Sequence, residues 1–409
     1  MPEAHALLSP SAGSRWLTCP GSVPLSAPFP DNAGPDAQWG TVAHHLAELI
    51  FDLGAEGSLA TVRNWLGEAV HPDHPNIPVD EEMVEVVSAY VEQVRNMTRG
   101  ADYFAVEEQV EIGSANLGLP PGVCWGTADT VAVKKEELQV HDLKTGRGVP
   151  VSAEGNTQLR LYALGVLAQV ELLFNIERVR VVIHQPRLDS VSEEVLTVEE
   201  LRAWAKEQRV NARLAHELAT GKGKPESYLQ PSDSACRWCR AKATCPALTA
   251  RVEAEIGASF DDLTVQSQIA PSPELDAIAL ARAMEAVDLV ESWCKAVRAE
   301  TERRLVGGQD VPGYKLVQGR RGARAWSQQE EAEALLRSFK LKVEDIYDLK
   351  LISPTSAEKL AKAGTVGPRQ WAKVQAFITQ AEGKPSVAPA SDPRPAITVA
   401  ATADDFDAL

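Results

Sequence analysis

The chain has 409 residues, a length that accommodates two or three domains. Hydrophobic residues make up 44% and charged residues 24%, an ordinary globular balance, and no apolar run reaches the ~20 residues of a membrane span. A net charge of −16 argues against a protein that coats nucleic acid through global charge, while leaving room for a local basic groove. The first residues, MPEAHALLSPSAGSRW, lack a basic stretch followed by an apolar one, so no secretion signal is expected and the compartment is read as the cytoplasm.

Taken in order, Ser9 or Ser11 caps a short helix that presents Trp16 and leads to Cys19. Pro20–Gly40, with five prolines and three glycines, reads as loop. Thr41–Leu53 reads as an amphipathic helix with Thr41 as its N-cap and with His44 and Glu48 on one face. Leu59–Leu66 is a short helix, and His71–Pro78 is a loop broken by three prolines. A longer helix spans Val79–Arg99. Asp102–Ile112 is the first strand, with Glu107 or Glu108 available to a site. Val123–Val133 and Leu138–Leu143 are two further strands, joined by a polar turn. A helix over Ala153–Ala168 follows, then a strand over Arg178–Gln185 and a helix over Val198–Leu218. These elements predict an α/β fold, a mixed central sheet flanked by helices.

The residues that carry chemistry concentrate between Gly122 and Tyr162. Magnesium and manganese ions take hard oxygen ligands, commonly one or two carboxylates, with water and phosphate completing the shell. Asp129 and Asp142, on neighbouring strands, offer that pair. Lys144 shares a face with Asp142, and an ammonium beside a bound cation orients or deprotonates water and offsets phosphate charge. Gln158 and Tyr162 lie four residues apart on the following helix and so share a face.

The ordered set GTAD (126–129), DLK (142–144) and QLRLY (158–162) resembles the PD-(D/E)XK nuclease superfamily in its RecB-like branch, over roughly residues 9–248. The resemblance implies a restriction-endonuclease-like core and a Mg²⁺- or Mn²⁺-dependent DNA exonuclease. It implies that Asp129 and Asp142 hold the metal with Lys144 beside them, that Gln158 and Tyr162 border the site, and that the Leu143 carbonyl adds a ligand. Gly40-Thr41-x-x-His44 resembles the first motif of that branch, whose histidine joins the metal shell; imidazole is a workable ligand for divalent transition metals. The same set also fits a catalytically inactive DNA-binding or recombination-accessory protein.

Cys236, Cys239 and Cys245 form C-x2-C-x5-C. Six cysteines are too few and too unevenly placed for a disulfide scaffold. Three clustered thiolates suit a soft metal or an iron–sulfur cluster and require a fourth ligand; Cys19, also followed by proline, is the candidate. This arrangement resembles the split [4Fe-4S] cluster of RecB-like exonucleases, with a zinc staple as the alternative. Cys124 and Cys294 stand apart as structural residues.

Beyond residue 250 the likeness to the nuclease core ends. The expected organisation is a nuclease domain with its cysteine clasp at 1–250, a mostly helical accessory region at 251–380 and a disordered acidic tail at 381–409. Helices are expected at Glu274–Leu305, Gln328–Phe339 and Thr355–Ala363, and a strand at Pro312–Gln318. Lys295–Arg324 carries eight basic residues against Glu300, Glu302 and Asp310, and reads equally as a solvated helix face and as a DNA contact. LISPTSAEKLAKAG (351–364), with the later GKPSVAPASDPRPA (383–396), resembles the C-terminal part of a family of phage- and prophage-encoded RecB-like proteins. Expected partners are DNA with a free end and, through the acidic tail, a phage recombination or single-strand-binding protein; an oligomer is compatible and no membrane contact is expected.

Overall fold

In a computed structural model of the chain, the residues described are 6–29, 34–54, 59–148, 150–254, 273–315, 354–362, 364–375 and 377–378. The chain divides into two compact units, Met1–Val317 and Gln318–Leu409. The first contains a five-stranded mixed sheet in the order β1-β2-β3-β4-β5: β1 Tyr103–Glu111, β2 Trp125–Lys134, β3 Glu137–Leu143, β4 Arg178–Gln185 and β5 Ser190–Thr197. Only β3 and β4 are parallel. A parallel pair needs a long crossover, which the helix Thr157–Val170 supplies.

The helices of this unit, in order, are α1 Gly13–Thr18, α2 Ser22–Ser26, α3 Pro35–Asp52, α4 Leu59–Arg63, α5 Glu81–Thr98, α6 Thr157–Val170, α7 Val198–Ala219, α8 Asp233–Arg237 and α9 Pro273–Val306. One sheet face is covered by α3 and α5, whose Val42, Leu46, Ile50, Val84, Val87 and Val91 pack in a core that also takes Leu143. The other is covered by α1, α6 and α7, against Val131, Val133, Val140 and Val181. Each of these fully buried aliphatic side chains contributes about 1.5–3 kcal/mol by leaving water. Side chains fix the helix starts: Asp80 accepts the Met83 amide at 2.7 Å, Asn156 accepts that of Leu159 at 3.1 Å, and Thr197 and Glu200 form a reciprocal capping box. In the second unit, Pro354–Lys362 and Pro368–Gln375 are two short helices, α10 and α11.

Four points of the sequence reading need correction. The stretch 20–40 is not all loop: it contains α2 and the first six residues of α3. Helix α3 begins at Pro35, whose fixed φ suits a first turn, so Thr41 is internal and its hydroxyl donates to the Ala37 carbonyl at 3.1 Å instead of capping. A fifth strand, β5, was not expected. It returns from β4 through Pro186–Leu188 and a left-handed Asp189, and its alternation is masked by Glu193 and Glu194, which pair with Arg180 and Arg160. Residues 312–315 form a turn rather than a strand, and 316–318 lie outside the described residues. So do Gln328–Phe339, Arg320, Arg321, Arg324 and the tail from 381.

The sheet is irregular at one place. Ala128 and Val131, three residues apart, enter the same core, which an unbroken strand with alternating faces does not allow. On β1 the same switch falls between Ala105 and Val110. The change centres on Glu107 and Asp129, which face each other between the pairs Val106↔Thr130 and Glu108↔Ala128. Glu107 has φ +48°, a left-handed value that costs a non-glycine residue free energy. Beyond Thr130↔His141 the β2–β3 ladder stops, while β3 continues beside β4 to Leu143↔His184. The sheet therefore splits between β2 and β3, with a carboxylate on each side.

Candidate functional site

Asp129 stands on the β2 side of that split. Its Oδ2 accepts the Leu143 amide of β3 at 2.7 Å, standing in for the missing ladder acceptor, and lies 3.3 Å from His44 Nδ1 on α3. His44, Glu107 and Asp129 each offer a ligand atom within 4.8 Å of the others. Across the split, Asp142 is buried. Lys144 Nζ lies 2.9 Å from its Oδ2 but donates its hydrogen bond to Oδ1, at 3.2 Å. Gln158, in the first turn of α6, closes the group: its Nε2 donates to Asp142 Oδ1 at 3.2 Å and its Oε1 accepts from Lys144 at 2.9 Å. Helices from opposite faces of the sheet thus reach one point through the gap.

The glycines of two motifs have steric reasons. A side chain on Gly126 would bring its Cβ within 2.9 Å of Tyr162 Cε1 and 3.0 Å of Pro10. One on Gly40 would meet Thr145 Oγ1 at 2.7 Å. Both positions let a helix or loop close over the site.

The electrostatics are those of a crowded anionic centre. Burial pulls the His44 pKa down, but the charge and hydrogen bond of Asp129, aided by Asp142 and Glu107, outweigh it and hold it at about 9. Burial, followed by the charge of Asp129, pushes Glu107 up to about 7. Burial raises Asp142 even against Lys144; at Asp129 the His44 charge overcomes burial and the pKa falls. Burial lowers the Lys144 pKa, but Asp142 and Asp129 reverse this and keep the ammonium charged. Tyr162 is raised by burial and then by Asp129, and it hydrogen-bonds Gln158.

The residues fit a hard divalent cation. Two carboxylates and an imidazole converge within ligand range, and the Asp142 carboxylate, ion-paired with Lys144 at 2.9 Å, lies across the split from them. Of the residues read from sequence, His44, Asp129, Asp142, Lys144, Gln158 and Tyr162 come together. Leu143 contributes its amide to Asp129 and its side chain to the α3–α5 core. Of the two β1 glutamates, Glu107 joins the group. No sequence periodicity marks it, because it sits where the period breaks.

The four cysteines Cys19, Cys236, Cys239 and Cys245 are all buried and unpaired by disulfides. Cys19 ends α1, and its sulfur accepts the Gln230 amide at 3.2 Å; Cys239 shares a hydrogen bond with Ser26 Oγ at 3.5 Å. Burial raises the pKa of Cys19, and raises Cys236 to about 11, with the charges of the other three thiols adding to it. Cys124 lies alone in the α6-side core and Cys294 on α9. On the basic segment, Lys295 pairs with Glu291, and Arg303 and Arg304 both pair with Glu300, so much of that helix charge is already neutralised.

A mixed sheet split at a carboxylate cluster and flanked by helices on both faces defines an α/β protein with a candidate metal centre. The chain belongs to the family described as "Protein of unknown function (DUF2800)", which it matches over residues 5–395. A solved structure described as "Crystal structure of SSO0001" is 18% identical to it, covers 50% of this chain and 85% of that one, and has a TM-score of 0.24. No helix among the described residues is long and apolar enough to cross a membrane.

Proposed function

We propose that the chain is a metal-dependent deoxyribonuclease, an exonuclease that hydrolyses phosphodiester bonds of DNA with a free end in phage recombination or processing, in the bacterial cytoplasm. The observation that carries this reading is the meeting of His44, Glu107 and Asp129 with the Asp142–Lys144–Gln158 network across the split in the sheet. The order of GTAD, DLK and QLRLY supports it further. Asp129, Asp142, Glu107 and His44 would hold Mg²⁺ or Mn²⁺, with the Leu143 carbonyl added by resemblance. The bound ion supplies charge that polarises the phosphate and lowers the pKa of a water.

The chain's own groups do the rest. Lys144 stays an ammonium, so it orients the attacking water and balances phosphate charge instead of taking a proton. Gln158 fixes both Lys144 and Asp142, and Tyr162 steadies Gln158 from the next turn. The four cysteines would hold a [4Fe-4S] cluster that clasps the N-terminal segment to the region after α7. A zinc ion held by the same four thiolates is the alternative occupant.

The test is digestion of 5′- and 3′-labelled single- and double-stranded DNA with Mg²⁺ or Mn²⁺, beside Lys144→Ala. The expected result is metal-dependent shortening from an end, reduced about 10²- to 10³-fold in the variant. Tight DNA binding without cleavage under any metal would replace the enzyme by the inactive accessory protein.

A further inference from the structure

The loop that follows Lys144 is tied down by a cluster that the metal site does not use. Arg187, just after β4, is almost buried. Its guanidinium lies 3.7 Å from the centre of the Trp39 ring, donates to the Thr145 carbonyl at 2.8 Å and donates to Glu82 Oε2 at 3.1 Å. Trp39 is fixed in turn by its indole N–H, which donates to Asp80 Oδ2 at 2.9 Å. Gln185 donates to the Gly146 carbonyl at 3.1 Å. Arg147 pairs with the same Glu82 oxygen as Arg187, yet its own side chain is 66% exposed.

This arrangement has a charge consequence. Glu82 offers one carboxylate oxygen to two guanidiniums, while the neighbouring Asp80 carboxylate is taken up by the Trp39 indole and the Met83 amide, so the two arginines have no second carboxylate partner in this cluster. The two arginines are not equivalent. Arg187 is locked under Trp39 and cannot leave. Arg147 is held by a solvent-facing ion pair, a contact that contributes little net stability. If a phosphate takes Arg147, Glu82 keeps Arg187 as its counterion and is not left uncompensated. The exchange is therefore cheap, whereas a lone Arg–Glu pair would leave an unpaired carboxylate behind. Arg147 also follows Lys144 by three residues, at most about 11 Å of chain, so it reaches a phosphate near the one at the metal centre.

We propose that Arg147 is a DNA-phosphate contact held in reserve by Glu82, and that Arg187 is the positioning residue that makes its release cheap. The proposal rests on the nuclease reading above and names where the substrate backbone runs: from the metal centre past the loop 145–147, toward the start of α5. The guanidinium, with its planar fork of donors, suits a phosphate better than a lysine would.

The experiment measures binding of a labelled single-stranded oligonucleotide to the full-length chain across a salt series, with Ca²⁺ in place of Mg²⁺. Arg147→Gln should weaken binding several-fold at low salt. It should also flatten the slope of log affinity against log salt by about 0.7, the release of one phosphate's counterions. Glu82→Gln, which removes the competing carboxylate, should tighten binding in the natural chain but have no effect in the Arg147→Gln background. Thermal melting checks that each variant is folded. Unchanged affinity and slope in a folded Arg147→Gln chain, while the natural chain binds DNA, would overturn this contact and leave the nuclease reading intact. A natural chain that binds no DNA in any salt would overturn both.

Discussion

Glu107 and His44 hold protons that a metal ion must displace. With a pKa of about 7, Glu107 is largely protonated below neutrality, and His44, at about 9, is an imidazolium through most of the physiological range. Ligation needs the carboxylate and the neutral imidazole, so metal binding releases protons and strengthens as pH rises. The Mn²⁺ midpoint for activity should fall steadily from about pH 6 to about pH 9. His44→Ala should raise that midpoint and flatten its pH dependence above neutrality. A midpoint that stays level with pH, or a His44→Ala chain that loses only thermal stability, would make this histidine structural. At the same scale, Asp142→Ala should abolish cleavage, because its carboxylate bears on the reacting phosphate and on Lys144 rather than on core packing; full activity in that variant would remove the assignment. Asp129, Asp142, Lys144, Gln158 and Tyr162 were legible in the sequence because each lies in a short ordered motif. Glu107 was legible only as one of two neighbours. The choice was made by a left-handed φ that no residue pattern announces.

At the scale of elements, the parallel pair β3–β4 carries a buried polar seam on its α5 side. His141 Nδ1 and His184 Nε2 are 3.0 Å apart, and His184 Nδ1 is 2.9 Å from Gln93 Oε1. Burial holds His184 at about 4 against the charge of Asp129, and burial, followed by the charges of His184 and Arg180, holds His141 well below its usual value. The unfolded chain protonates these rings below about pH 6.5, whereas the folded chain does not until much lower pH. This pair therefore leaves stability unchanged above pH 6.5 and lowers it as pH drops toward 4, against Glu107, whose raised pKa adds stability as pH falls through about 7. The loss from His184 alone is about 3 kcal/mol. Urea unfolding at pH 7.5 and pH 4.5 should show a pH dependence that differs between the natural chain and His184→Gln by about this loss; the same pH dependence in both would mean the seam is hydrated. The seam lies directly beneath the site, because the His184 carbonyl accepts the Lys144 amide at 2.8 Å. The longer helices of the sheet unit and the first four strands were readable from period and capping, within a few residues of most ends, while the short α2 and α8 were not. The start of α3 and the existence of β5 were not. Proline-rich composition suggested loop where a proline begins a helix, and two charged residues broke the alternation of an edge strand whose partners come from β4 and α6.

At the scale of the molecule, the proposed cysteine clasp would join segments roughly 200 residues apart in sequence. The Gly21 amide donates to the Tyr228 carbonyl at 3.1 Å, and a Cβ on Gly21 would sit 2.3 Å from the Pro225 carbonyl oxygen, so the two segments touch backbone to backbone. Closing so long a loop is where a cross-link gains most in principle. Anaerobically purified protein should be brown, with broad absorbance near ~400 nm from sulfur-to-iron charge transfer. Cys19→Ala should lose that colour and lower the melting temperature of the whole first unit. A colourless preparation with stoichiometric zinc would replace the cluster by a staple, and metal-free protein of full stability would reduce the four thiols to packing residues.

The sequence alone determined which residue types the candidate site offers, their order along the chain and the alternation that makes a mixed sheet, because each of these is a local property of residue type and spacing. It could not determine that the sheet splits at Asp129, that Glu107 rather than Glu108 turns inward, or that Arg147 and Arg187 share one carboxylate. Those depend on how strands shift register against one another and on which helix closes over each face. They are balances between packing, backbone strain and charge that exist only once distant segments have met.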